Sequence, residues 1–325
     1  MRRFIILILV LATLAAGCGN DADLTVYSGR NQELVQPLID QFIAETGLDV
    51  EVRYAGSAEL AATLVEEGDS SPADLFFAQD PASLGRVALT GLLLPLPSGV
   101  LALVPEEFSD ADGRWVGVSG RARTLVYDPI AVDPVELPVS VDGLTDPQWQ
   151  GRVAIAPTNS SFLAFVAAMI QIEGEAATRT WLEQMSASPT YSKNSTIVAA
   201  VNGGEVEMGL VNHYYPLQAA EEPDATAANF FFPGGGPGAL VMPAGVGVLA
   251  STDDEDTAIR FIEFLLSADA QGYFATETYE FPLVPGVAAD PRLPALDEIT
   301  APDLDLSRLA ETLDLATELV TELGL

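Results

Sequence analysis

Leu24-Thr25-Val26-Tyr27, Ser28-Gly29-Arg30, and then a run over 33–46 with apolar residues at Leu34, Val35, Leu38, Ile39, Phe42 and Ile43 decide the fold. The first four residues are apolar or β-prone and read as a buried strand that ends at a glycine turn. The next run has the three-and-four spacing of a helix, and Gly47 is placed to stop it. Val50-Glu51-Val52-Arg53-Tyr54 reads as a second strand, and Ser57 is placed to cap a helix over 58–67. Asp74-Leu75-Phe76-Phe77 follows as a third strand. Strand, helix, strand, helix, strand implies a parallel sheet in an α/β fold, with a ligand at the strand C-termini.

The alternation continues outward from there. Arg123-Thr124-Leu125-Val126-Tyr127 and Arg152-Val153-Ala154-Ile155-Ala156 read as strands, and 162–172 and 176–185 read as helices. Met208-Gly209-Leu210-Val211 is a strand that runs into Asn212-His213-Tyr214-Tyr215-Pro216. Ala239-Leu240-Val241-Met242 and Gly245-Val246-Gly247-Val248-Leu249 lie in a glycine-rich region, 257–266 is amphipathic, and 304–323 reads as a closing helix. Gly245, Gly247 and Ala250 match a dinucleotide-binding fingerprint in letters only. They sit among apolar strand-like residues, so close backbone packing explains them.

The ends and the composition bound the rest. Arg2 and Arg3, the apolar run 4–14, and Ala15-Ala16-Gly17 before Cys18 read as a secretory signal over 1–17. The ending Leu14-Ala15-Ala16-Gly17-Cys18 resembles a bacterial lipobox, which makes 18–23 a lipid-anchored tether. Cys18 is the only cysteine, so no internal disulfide forms. With 14 Lys+Arg against 47 Asp+Glu, the net charge of −33 repels nucleic acid and anionic lipid. The lipid anchor is then the only expected contact with the membrane. There is no P-loop and no H-E-x-x-H, and His213 is the sole histidine, so an enzyme is not expected.

Several stretches, taken in order, resemble the bacterial periplasmic ferric-iron-binding proteins that serve ABC importers. They are Val26-Tyr27-Ser28-Gly29-Arg30, Ser71-Pro72-Ala73-Asp74, Trp115 through Val118-Ser119-Gly120-Arg121 to Tyr127-Asp128, and Asp146-Pro147-Gln148-Trp149-Gln150-Gly151-Arg152. Further on are Lys193-Asn194-Ser195, Val211-Asn212-His213-Tyr214-Tyr215, Pro237-Gly238-Ala239-Leu240-Val241 and Tyr279-Glu280-Phe281-Pro282-Leu283. The resemblance implies a type-II-like, two-lobed periplasmic-binding-protein fold with discontinuous lobes and a central cleft. By that analogy the first lobe is 24–122 plus 246–290 and the second 123–245 plus 291–325. The implied partners of this monomer are ferric ion or a ferric complex, an ABC permease and its ATPase.

Within that pattern Tyr214 and Tyr215 are the candidate ligands for Fe3+. Ferric ion prefers charged oxygen donors, and a strongly bound cation can ionise a phenol at neutral pH. Adjacent residues on a strand point to opposite faces, so sharing a metal needs a turn or helix start. Pro216 suits a first helical position, with Tyr215 as the cap. The resemblance implies a His and a Glu from the first lobe, but the matching positions are Asn31 and Gln79; Asp80 is a neighbouring alternative. It also implies a synergistic oxyanion, phosphate or carbonate, at Asn159, Ser160, Ser161, Asn194 and Asn212. Asn159 or Ser160 can equally be ordinary helix caps. Arg121 and Arg123 either neutralise that anion or pair with surface carboxylates. His213 is expected behind the ligands or at the surface.

Alternative readings are the same fold holding an organophosphonate, a thiamine-like molecule or a chelated metal, or a periplasmic ligand-sensing adaptor. The processing reading has its own test. Wild-type protein is expected in the membrane fraction, and Cys18→Ser should be released or left unprocessed. Recovery of wild type wholly in the soluble fraction, with Cys18 unmodified, refutes the anchor.

Overall fold

The computed structural model describes residues 22–325, so the 1–17 signal, Cys18 and most of the tether lie outside the described residues. The opening unit follows its sequence pattern. β1 (Leu24–Ser28), α1 (Gln32–Thr46), β2 (Val50–Tyr54), α2 (Ser57–Glu67) and β3 (Leu75–Ala78) alternate, and β1 pairs in parallel with both β2 and β3. α1 buries Val35, Leu38, Ile39 and Phe42, and ends where Gly47 turns to φ 73°. Ser57 departs from expectation: Gly56 holds the cap position of α2. The Ser57 hydroxyl instead lies 3.5 Å from the Gly29 carbonyl and accepts the Gln79 N–H at 2.9 Å. It thereby braces the loops that follow β1 and β3.

α3 (Pro81–Leu89) and the short α4 (Ser98–Leu101) lead into β4 (Val116–Tyr127), which is buried along its whole length. β4 is longer than the sequence suggests because it serves two sets of partners. Its first half pairs with β8 (Val241–Val248) and β9 (Phe281–Pro282). Its second half, from Arg123, pairs with β6 (Met208–Asn212) and β7 (Ala228–Phe230). β5 (Val153–Ala154) adds to β6 in parallel. Among the described residues the order is β2-β1-β3-β8-β4-β6-β5, with β7 and β9 also on β4. β5 is shorter than the five residues read from sequence, because Arg152 leaves the ladder to stack on Trp149 and pair with Glu207.

The glycine-rich region is one strand. At Gly245 a Cβ would stand 2.8 Å from the Val116 carbonyl, and at Gly247 it would stand 2.9 Å from the Leu93 side chain. Close packing therefore accounts for the fingerprint letters. Helices α5 (Ser160–Glu173), α6 (Glu175–Gln184), α7 (Asn194–Asn202) and α8 (Tyr214–Ala219) flank the β4–β6 side. α9 (Glu255–Leu265) and α10 (Ala268–Thr276) return to the β1–β3 side, where Phe261 meets Phe42 edge-on at 5.0 Å. α11 (Leu309–Glu322) starts later than expected, after a 3-10 turn over Leu306–Arg308 that Asp305 caps. It packs against both α3 and α5 and buries Leu309, Leu313, Ala316, Leu319 and Val320.

Gly29 is the most constrained glycine near the strand ends, since its Cβ would lie 2.1 Å from Ser57 Oγ and 2.8 Å from Ser57 Cα. Gly29→Ala is expected to destabilise the fold by about 1–3 kcal/mol through overpacking. Gly272→Ala in α10 meets no atom within 4 Å. It should stabilise by about 0.5–1 kcal/mol through helix propensity. Denaturant unfolding of the two variants checks both signs.

Candidate metal centre

The candidate ligands sit where β6 stops. Asn212 ends the strand, His213 adopts helical angles (φ −56°, ψ −29°), and α8 begins at Tyr214 rather than at Pro216. His213, not Tyr215, is therefore the cap residue. On a helix, adjacent side chains diverge by about 100° instead of pointing to opposite faces. The two rings accordingly lie together, centroids 4.3 Å apart and 33° between planes. Tyr214 is buried and Tyr215 half-buried. Burial, and then the Tyr214 phenol beside it, hold the Tyr215 hydroxyl well above the ordinary tyrosine range. Arg121 and Arg30 pull it the other way.

Those arginines define the electrostatics. Arg121 and Arg123 stand two apart on β4, hence on one face, and both are buried. Among the described residues neither pairs with a surface carboxylate. The Arg123 Nη2 donates to the Ser161 carbonyl at 2.6 Å, and its guanidinium lies 5.4 Å from the Phe165 ring centre. Burial and the adjacent Arg121 lower Arg123 to about 9. The Nε and Nη1 of both residues have no partner among the described residues. Arg30, on the loop braced by Ser57, is buried too and donates to Glu280 at 2.6 Å. Burial lowers its pKa, but Glu280 and then Tyr214 more than offset that, and the net shift is upward. Its Nε is likewise unpartnered, as is Glu280 Oε1.

The expected oxyanion positions come together beside Arg123. Asn159 caps α5, its Oδ1 accepting from the Ser161 N–H at 3.1 Å and the Ser161 hydroxyl at 2.7 Å. Asn194, the first residue of α7, donates to the Ser161 Oγ at 3.3 Å and leaves its own Oδ1 unpartnered. Asn212 is buried and stands opposite Arg123 in the β4–β6 register. Ser160 opens α5 and is half-buried. The cap of α5 and the positions expected for the oxyanion are thus one local structure.

The first-lobe positions are placed differently. Asn31 is exposed and caps α1, its carbonyl oxygen accepting the Glu33 N–H at 3.3 Å. Gln79 is half-buried, with its backbone held by Ser57. Asp80 is buried, and its oxygens are taken by the Ser83 N–H and hydroxyl at 2.8 and 3.1 Å, where it caps α3. Burial raises its pKa despite those bonds and the Arg121 charge. His213 is fully buried, not at the surface.

Sequence reading assigned no role to Arg30 or Glu280, although both lie in the stretches that carry the resemblance. Their pairing spans 250 residues of chain, which no local pattern announces. Among the described residues no cluster of three or more His, Cys, Asp or Glu is arranged to hold a metal. A cavity of about 700 Å³, lined by Phe108, Leu240, Leu283 and Ile299, includes none of these groups.

The arrangement is two adjacent phenols facing guanidinium donors that lack acceptors. It suits a hard cation bound together with an anion. The family model for bacterial extracellular solute-binding proteins matches residues 70–308. The Fe(3+)-binding periplasmic protein of Serratia marcescens is 34% identical over 322 residues, covering 98% of this chain and 95% of that one. Iron-bound HitA from Pseudomonas aeruginosa superposes with a TM-score of 0.88 at 35% identity, covering 93% of this chain and 99% of that one. The Trichodesmium protein IdiA (FutA), in complex with iron and citrate, gives 0.79 at 27% identity, covering 93% and 99%. The family is one of extracytoplasmic binding proteins, not enzymes, and the two-lobed fold matches its solved members. The chain belongs to the bacterial extracellular solute-binding proteins, among their periplasmic ferric-iron-binding members.

Proposed function

We propose that the protein captures ferric iron outside the cytoplasm and delivers it to an ABC importer, whose permease and ATPase are its partners. The observation that carries this reading is the Tyr214–Tyr215 pair, set side by side on α8 against Arg30 and Arg121. Two phenolates cancel most of the charge of a trivalent ion, and a bound oxyanion cancels the rest. Phosphate, carbonate or a citrate-like carboxylate would find acceptor-seeking donors on Arg121 and Arg123, with Asn159, Ser160, Ser161, Asn194 and Asn212 around it. Asn31 and Gln79 contribute little, since the Asn31 carbonyl already serves its own helix.

The ligand is held between a first lobe of 24–122 plus 246–290 and a second of 123–245 plus 291–325. The change of β4 partners between Ala122 and Arg123 supports the boundary after 122. The return comes earlier than 246, since β8 already pairs with the first half of β4 from Val241. A lipid anchor at Cys18 keeps the monomer at the membrane. Such lobes close on their ligand by hinge motion.

Phenolate-to-iron charge transfer should colour the loaded protein. Tyr214→Phe and Tyr215→Phe should each lose most of that colour and much of the affinity, and the double variant should bind no ferric ion from nitrilotriacetate. Iron uptake by the double variant equal to wild type refutes the assignment. Loading has a proton count as well. The Tyr215 phenol is neutral at pH 7, because its pKa is raised above its usual value of 10. Iron must therefore displace phenolic protons, about two per ion if both residues ligate. Acidification returns those protons, so iron affinity should fall as pH falls. A pH-stat titration of wild type against the double Phe variant reads the difference.

A further inference from the structure

His213 is the one residue of the β6–α8 junction whose four polar atoms are all engaged. Its backbone N–H donates to the Ala122 carbonyl at 3.0 Å, and its carbonyl accepts from Asn229 Nδ2 at 2.7 Å. The ring Nδ1 accepts the Ala122 N–H at 3.1 Å, which requires the proton to sit on Nε2. Nε2–H then donates to the Tyr279 carbonyl at 2.8 Å. The ring lies on Phe281, centroids 4.6 Å apart, and meets the Tyr214 ring edge-on at 5.8 Å.

The far end of that bond is unusual. Tyr279 has φ 59°, one of two non-glycine residues with positive φ among the described residues. An L-residue with a bulky side chain persists there only when its surroundings over-determine it, and such strain marks functional segments. Here the surroundings are the tyrosine helix itself. The Tyr279 hydroxyl donates to Glu221, just beyond α8, at 3.0 Å, and Arg292 packs over its ring at 4.7 Å. The next residue, Glu280, holds Arg30, whose charge reaches both phenols. One turn thus grips α8 at both ends and sets the guanidinium opposite it.

We propose that His213 is a positioning residue. As a neutral ring wedged between β4 and the Tyr279 turn, it fixes the direction in which Tyr214 and Tyr215 present their phenols to the metal. This rests on the tyrosine reading above. A simple space-filling role for the ring differs in one respect: only the positioning role depends on the bond to Tyr279.

Three substitutions separate the two roles. His213→Phe keeps the packing on Phe281 and removes both ring bonds. His213→Asn retains a short acceptor toward Ala122, and His213→Gln retains a donor with the reach of Nε2 toward Tyr279. Groups that orient metal ligands from behind are worth roughly 10–100-fold in affinity, which is the loss expected for His213→Phe with ferric nitrilotriacetate. Its charge-transfer maximum should also move. His213→Gln should recover most of the affinity and the wild-type band, and His213→Asn should not. Wild-type affinity and band in His213→Phe overturn the proposal, as does an equal loss in the Asn and Gln variants. If His213→Phe fails to fold, the contrast between Asn and Gln decides in the same way. A wild type that stays colourless, or a double Tyr→Phe variant that still binds iron, refutes the tyrosine site and the proposal with it. A coloured wild type with unaffected His213 variants refutes the positioning role alone.

Discussion

Guanidinium groups taken out of water without carboxylate partners are the constraint on which the site depends. The chain holds 47 Asp and Glu, so partners are plentiful. Surface arginines find them: Arg86 pairs with Asp314, Arg179 with Glu322, and Arg308 with Glu311. Arg121 and Arg123 are buried and make no such pair, although each leaves Nε and Nη1 free. Buried charge left this way is costly, because the lost hydration is not replaced. A bound anion would replace it. The same field eases ionisation of Tyr215, so a cation on the phenols and an anion on the guanidiniums would stabilise one another through the protein's fixed charges.

β4 makes that arrangement possible. Among the described residues it is the one strand with partners on both sides of the molecule, and the change occurs between Ala122 and Arg123. The arginines of the site lie on either side of that point. Ala122 is also the residue that His213 grips through both its backbone and its ring. Strand crossing, anion donors and the tyrosine helix therefore share a few ångströms of backbone.

Much of this was legible in the sequence because it is local. The β1–α1–β2–α2–β3 unit follows from period and glycine placement, and Tyr214-Tyr215 announces itself by adjacency. The helix starts at Tyr214, two residues before the position that Pro216 suggests, because proline is tolerated throughout the first turn, where its missing N–H has no helical partner. Ser57 looked like a cap because caps are what serines before apolar runs usually are. Its hydroxyl was claimed by two distant loops, which no window of residues reveals. Arg30 with Glu280, and His213 with Tyr279, were illegible for the same reason: each is a contact between segments far apart in the chain. The burial of Arg121 and Arg123 was open at the sequence level, because alternation along a strand says which residues share a face and not whether water reaches it.

The Ser57 hydroxyl also bears on how this protein's relatives can diverge. It supports the chain after β1 through the Gly29 carbonyl and the chain after β3 through the Gln79 amide, using backbone atoms only. The loop shape after β3 is thereby independent of the side chain at 79, whereas Asn31 also caps α1 through its side chain. The side chain at 79 can therefore be exchanged without renegotiating the scaffold. That side chain is a replaceable part, and Gly29 and Ser57 are the fixture that holds its loop.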